Sequence, residues 1–150
     1  MKYLAGPIVG AFEARGQTIA LSGVFERVLL DKGAIDPSYV GLALDQSTVI
    51  VIPREGLWRI NACVSFLGAA GTNACELRLN YADLQSKIYS NVAIPPADTH
   101  TLAISAVARL RLTDTVYLEA KAVGGTPSII AGFTSQMFFE YVGPAGPVAK

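Results

Sequence analysis

Charge is the first thing this sequence is short of. Charged side chains make up 16% of its 150 residues, against about 25% in an average soluble domain. Twelve Lys and Arg balance twelve Asp and Glu, and Arg109 with Arg111 is the densest basic spot. Such a chain lacks the phosphate-neutralising surface from which nucleic-acid binding draws its affinity. Long apolar runs are missing too. None approaches the roughly 18 residues of a membrane helix, so a bilayer does not account for a hydrophobic content of 51%. Large exposed apolar patches are rare on monomers, which leaves cover by another protein as the explanation.

Chemically active residues are equally sparse. Two cysteines, Cys63 and Cys75, are too few for a disulfide framework and have no metal spacing. A single histidine, His100, excludes a multi-histidine metal centre. No Gly-x-Ser-x-Gly elbow occurs, so nothing positions a nucleophile for His100, which reads as a loop residue. Asp31 and Asp36 flank one loop while Asp98 and Asp114 sit at turns, too scattered for the six to eight oxygens calcium takes. Gly68–Gly71 lacks the Lys and the following helix of a phosphate loop. The sequence therefore predicts neither an enzyme nor a bound cofactor.

What is present is alternation. β-branched and aromatic residues crowd short runs with period two, separated by Gly, Pro, Asn and Asp. Strands are predicted near 8–15, 18–30 (with a possible break), 42–52, 57–68, 74–81, 84–94, 100–112, 114–123 and 128–142. The alternative of a helix over 103–112 fails, because Leu102, Ile104, Ala106, Ala108, Leu110 and Leu112 recur at spacing two. Turns are predicted at Pro53–Gly56, Gly68–Asn73, Pro95–Asp98 and Gly124–Pro127, with loops at Asp31–Gly33 and Asp36–Ser38. Thr113-Asp114 is short enough to predict a hairpin. Many short strands without intervening helices mean a sandwich or barrel, and 150 residues suit one domain. The predicted organisation is an N-terminal arm over 1–10, the domain over 11–142 and an extended tail over 143–150. The arm is too short and broken by Gly6 and Pro7 for a signal-peptide core, so either synthesis in the cytoplasm or a chain given without its leader is expected.

The alternation also sorts side chains by face. Trp58, Ile60, Ala62, Val64 and Phe66 share one face, which predicts Trp58 in the core and Cys63 pointing away from it. Cys75 sides with Leu77, Leu79 and Tyr81, so the thiols are expected to be free, one inside and one outside. Tyr81 and Tyr89 are read as packing residues, and Arg54 and Glu55 as a solvated turn. In 128–142, Phe133, Ser135, Met137, Phe139 and Tyr141 form one face, yet the opposite face still carries Phe138 and Val142. Strand 57–67 likewise places Leu57, Cys63 and Leu67 opposite its core face. A half-exposed strand has one clearly polar face. Two strands that break this rule predict a sheet whose outer surface is covered by another subunit.

Ala11-Phe12-Glu13-Ala14, then Val24–Val28 with Gly33 and Asp36-Pro37, resemble in order the opening strand and the next segment of the tumour-necrosis-factor-like jelly rolls, and most closely of the globular head of complement subcomponent q. Ile52–Ile60 resembles the pattern of Pro, Gly, an aromatic and a strand. Leu77-Arg78-Leu79-Asn80 resembles the strand that ends in Asn, and Leu110–Leu118 resembles a stretch that usually reads Leu, Gly-Asp, Val, aromatic, Leu. Phe133 and Phe138 sit where the last strand is Phe-rich. Thr113 and Ser135 stand where Gly is usual. The resemblance covers about residues 11–142 and implies an all-β, ten-strand antiparallel jelly-roll sandwich that forms a three-fold homotrimer, its inner sheet lining the axis.

The expected subunit interface is Leu57, Cys63, Leu67, Val107, Gln136 and Phe138, and the expected partner-contacting arm is Tyr3, Leu4 and Ile8. By fold analogy, the expected function is that of a trimeric phage-head decoration (cement) protein. It would be assembled in the host cytoplasm, sit on the virion, and stabilise the capsid by surface burial against the major capsid protein or another virion protein. A receptor-binding fibre tip or a secreted binding module of the same fold is the alternative.

Overall fold

In a computed structural model the described residues are 9–19, 23–31, 43–45, 49–82, 84–90 and 93–144. The arm residues Tyr3, Leu4 and Ile8, the Asp36 loop and the tail beyond 144 lie outside them, as does the side chain of Phe133. The described chain is all β. In order, the strands are β1 Val9–Ala14, β2 Gln17–Thr18, β3 Glu26–Arg27, β4 Leu30–Asp31, β5 Ala43–Asp45, β6 Val49–Val51 and β7 Gly56–Leu67. There follow β8 Ala74–Tyr81, β9 Leu84–Ser90, β10 Thr99–Leu110, β11 Thr115–Val123, β12 Ser128–Ile129 and β13 Gly132–Gly143. β1 begins at Val9, so residues 9 and 10 belong to the sheet and not to the arm.

These strands merge into two antiparallel sheets. β7 pairs along its length with β10 on one side, and with β13 and then β12 on the other. β1 and β2 continue the layer beside β13 and β12, and β4 lies beyond β1. The second sheet runs β5, β6, β11, β8, β9, with β3 joining β11 beyond the end of β6. Each layer is five ribbons wide, which matches the ten-strand expectation once interrupted strands are joined. The predicted strand over 18–30 contributes only β2, β3 and β4 to the described structure.

The core lies between the layers. Phe12, Trp58, Ile60, Val64, Phe66, Met137 and Phe139 come from one sheet, and Ile50, Leu77, Leu79, Val116, Leu118 and Ala120 from the other. All are buried because period two puts them on the inner faces. Trp58 Nε1 donates to the Arg54 carbonyl (3.0 Å), satisfying its one donor, and its ring meets Tyr141 edge-on. Gly56 must stay bare here: a Cβ would lie 2.5 Å from the Tyr141 ring.

The short link at Thr113-Asp114 is not a hairpin. β10 lies in the first sheet and β11 in the second, so the chain crosses the sandwich there. Three hydrogen bonds hold the crossing. Thr113 N donates to Ile52 O (2.9 Å), Ile52 N to Asp114 O (2.8 Å), and Arg111 N to the Asp114 carboxylate (2.7 Å). Leu112 consequently leaves the apolar row and is exposed. Thr113 takes φ 71°, a left-handed conformation that disfavours a β-branched residue. Other expectations also shift. His100 is the second residue of β10, not a loop residue, and Tyr89 is exposed, not packed.

The last ribbon breaks between β12 and β13, where β13 carries extra residues relative to β1 between Gly132 and Gln136. Two buried serines close the seam. Ser65 N donates to Ser135 Oγ (3.0 Å), and Ser65 Oγ donates to Thr134 O (3.0 Å). A glycine at position 135 would supply no such acceptor. Replacing Ser135 with Ala is expected to destabilise the fold by about 1–3 kcal/mol, the cost of orphaning a buried N–H. Thr113→Gly is expected to stabilise it by about 0.5–1 kcal/mol, the relief of left-handed strain less the entropy of glycine. Urea unfolding monitored by tryptophan fluorescence measures both, and opposite signs are the diagnostic result.

Candidate functional site: the outer face of the β10–β7–β13–β1 sheet

The residues that period two directs away from the core on β7 meet those on its neighbours in fixed rows. Leu57 pairs with Arg109 on β10 and with Gly143 on β13. Arg59 lies between Val107 and Glu140, and Asn61 between Ser105 and Phe138. Cys63 lies between Ala103 and Gln136, and Leu67 between Thr99 on β10 and Ser128 on β12. β1 extends two of these rows with Ala11 and Glu13. All six predicted interface residues therefore fall on one surface.

An open groove of about 340 Å³ occupies its middle. Cys63, Gln136 and Phe138 line it together with Asn61, Ala103 and Ser105. Leu57, Cys63, Gln136 and Phe138 are half-buried, while Leu67 and Val107 are exposed at 39% and 62%. Leu67 and Val107 stand outside the groove, Leu67 at the end of β7 and Val107 on the outermost strand. Asn61, Ala103 and Ser105 are not among the residues predicted from sequence. Each is small or polar and looks like solvent-facing filler until the strand register places it beside Phe138 or Cys63.

Two contacts between polar side chains are made on this face among the described residues of β10, β7, β13 and β1. Arg59 and Glu140 form a direct ion pair. Ser65, which alternation directs outward, is instead buried and bonded to Thr101 Oγ1 at 2.6 Å as well as to β13. The thiols divide as expected. Both are free, Cys63 half-buried at the groove and Cys75 buried in the core. Burial pushes the Cys75 thiol up to about 11, which leaves it inert at neutral pH.

The outer face of the opposite sheet is of a different character. Glu119 receives Arg78 Nε and Asn80 Nδ2, each at 2.8 Å, with Arg27 at 4.0 Å. Lys121 pairs with Glu76 at 3.4 Å. Arg27 lies over the Tyr117 ring and Arg78 over Phe25. This is a charge-laced, solvated surface.

His100 Nε2 lies 2.9 Å from Ser90 Oγ, joining β10 to β9 across the edge of the sandwich. Among the described residues no carboxylate meets the imidazole, so no catalytic triad is assembled there. No cluster of three metal-capable side chains occurs among them either.

Neither a protein-family model nor a curated protein matches the chain in sequence. Solved structures do match it in three dimensions. Eiger TNF from S. frugiperda superposes with a TM-score of 0.66 at 14% identity, over 96% of this chain and 98% of that one. Murine APRIL at pH 8.5 superposes with a TM-score of 0.61 at 9% identity, over 89% of this chain and 99% of that one. At such identities the likeness concerns architecture, and it agrees with the strand order derived above. The chain has the tumour-necrosis-factor-like jelly-roll fold.

Proposed function

We propose that the protein is a non-catalytic assembly module that forms a homotrimer through the outer face of the β10–β7–β13–β1 sheet. The observation that carries this reading is the contrast between the two outer faces. One is knitted by ion pairs and stacked guanidinium groups. The other offers a groove lined by Phe138 and Cys63, flanked by exposed Val107, Leu67 and Val142. Apolar surface of this kind is stabilised by cover, at about 25 cal/mol per Å² before association costs. A groove facing its own copy across a two-fold axis would leave two concavities opposed. A contact between different patches fills the groove and closes into a ring. The likeness to TNF structures supports three members.

The finer reading is that this trimer decorates a phage capsid, with the segment ahead of β1 as the contact to the shell. It is supported by the scarcity of charge, which calls for more covered surface than a free monomer offers. Cryo-electron microscopy of the source particles tests it: density for the trimer on a capsid supports it, and density at a fibre end or none on a particle overturns it.

Light scattering coupled to size exclusion is expected to give the mass of three 15.8 kDa chains. Phe138→Asp, which buries an unpaired charge in the interface, is expected to give a folded monomer. Lys87→Glu, on the opposite face, is expected to leave the trimer intact. A wild-type monomer sinks the reading. The thiols give an independent readout. Cys63 is expected to react with an aromatic disulfide reagent at least about tenfold faster in the Phe138→Asp monomer than in the assembled protein, and Cys75 only after unfolding.

A further inference from the structure

The Arg59–Glu140 pair is the one ion pair on the proposed interface face among the described residues. The two side chains are 48% and 33% exposed in the single chain, so each keeps water that a covering subunit would remove. Their surroundings supply little substitute charge. From β7, Arg59 alone faces Glu140 in register, with Leu57 and Asn61 as the outward residues on either side. β1 brings Val9 opposite, then Ala11 beside Phe138, with Glu13 further along opposite Gln136. Beyond β7, β10 presents Val107 in the same row, Ser105 toward the groove and Arg109 toward the sheet end.

We infer that the Arg59–Glu140 pair makes the assembly acid-sensitive: cover is tolerated while the carboxylate is ionised and the trimer is released when it is protonated. This rests on the proposed interface. Removing one partner of a covered ion pair leaves the other charge buried and unpaired, which is far costlier than the pair itself. In the assembled form Arg59 and Glu140 replace each other's lost water. Protonated Glu140 no longer does so for Arg59. Cover therefore favours the ionised carboxylate more strongly than the free chain does. The sign follows from linkage: association is fully favoured above the carboxylate titration range, and is lost as pH falls through it.

Sedimentation at graded concentration measures this in the full chain at pH 7.5 and about pH 3.5, below the ordinary glutamate range, with far-ultraviolet circular dichroism confirming the folded protomer. Wild type is expected to lose at least about tenfold in association constant over that span, since one carboxylate per chain takes up a proton on release. Glu140→Gln imitates the protonated acid without acid. It is expected to associate at least about tenfold more weakly than wild type at pH 7.5 and to be flat with pH. Arg59→Met with Glu140→Met removes both charges and is expected to restore tight association that is also flat. A wild-type trimer indifferent to pH, or a Glu140→Gln trimer as tight as wild type at pH 7.5, overturns the inference and leaves the interface standing. A wild-type monomer at pH 7.5 removes both.

Discussion

Strand β7 is the member on which the rest of the molecule depends. It pairs with β10 from Gly56 to Leu67 on one side. On the other it pairs with β13 over its first half and β12 at its end. Because side chains alternate, its register simultaneously fills the core with Trp58, Ile60, Val64 and Phe66 and sets Leu57, Arg59, Asn61 and Cys63 on the outer face. A slip of one residue would exchange the two sets, exposing Trp58 and burying Arg59. The core and the candidate interface are thus specified by a single register, and a sequence that secures one secures the other.

That coupling explains why the candidate interface is legible in the amino-acid sequence. Period two alone places Leu57, Cys63, Leu67, Gln136 and Phe138, and the pairing of Cys63 with Gln136 and Asn61 with Phe138 brings the middle of that set together. The core is legible for the same reason. What period two does not encode is which strands share a sheet. Thr113-Asp114 has the length of a hairpin and the turn chemistry of one. It crosses instead because Ile52, far earlier in the chain, accepts from Thr113 and donates to Asp114. A partner so distant leaves no local trace.

The break in the last ribbon is hidden from sequence in a similar way. Ser135 follows the alternation of β13 and is buried as alternation requires, yet its role comes from the interruption between β12 and β13. Ser65 breaks the alternation of β7 outright, being buried on the outward side. The two are explained together: the ladder lacks a backbone acceptor at the seam, Ser135 Oγ supplies one, and the Ser65 hydroxyl bonds Thr101 and Thr134 in turn. Buried backbone donors are satisfied almost without exception, so the serines are read as hydrogen-bond replacements, not as a nucleophilic pair.

The same accounting separates the two outer faces in functional terms. On the β9–β8–β11 side, Glu119 gathers Arg78, Asn80 and Arg27, and those cations stack on Phe25 and Tyr117. Covering that surface would strip water from several coupled charges at once, against the apolar gain of covering Tyr89 and Val123. On the β10–β7–β13–β1 side Arg59 and Glu140 are already paired, and Arg109 and Glu13 are the further charges in register with its rows. The two faces therefore differ in desolvation cost, with three ion pairs on one and a single pair on the other among the described residues. In the proposed trimer, association is directed to the sheet that contains β7 because its rival carries more coupled charge to dry, and the apolar groove adds affinity to that choice.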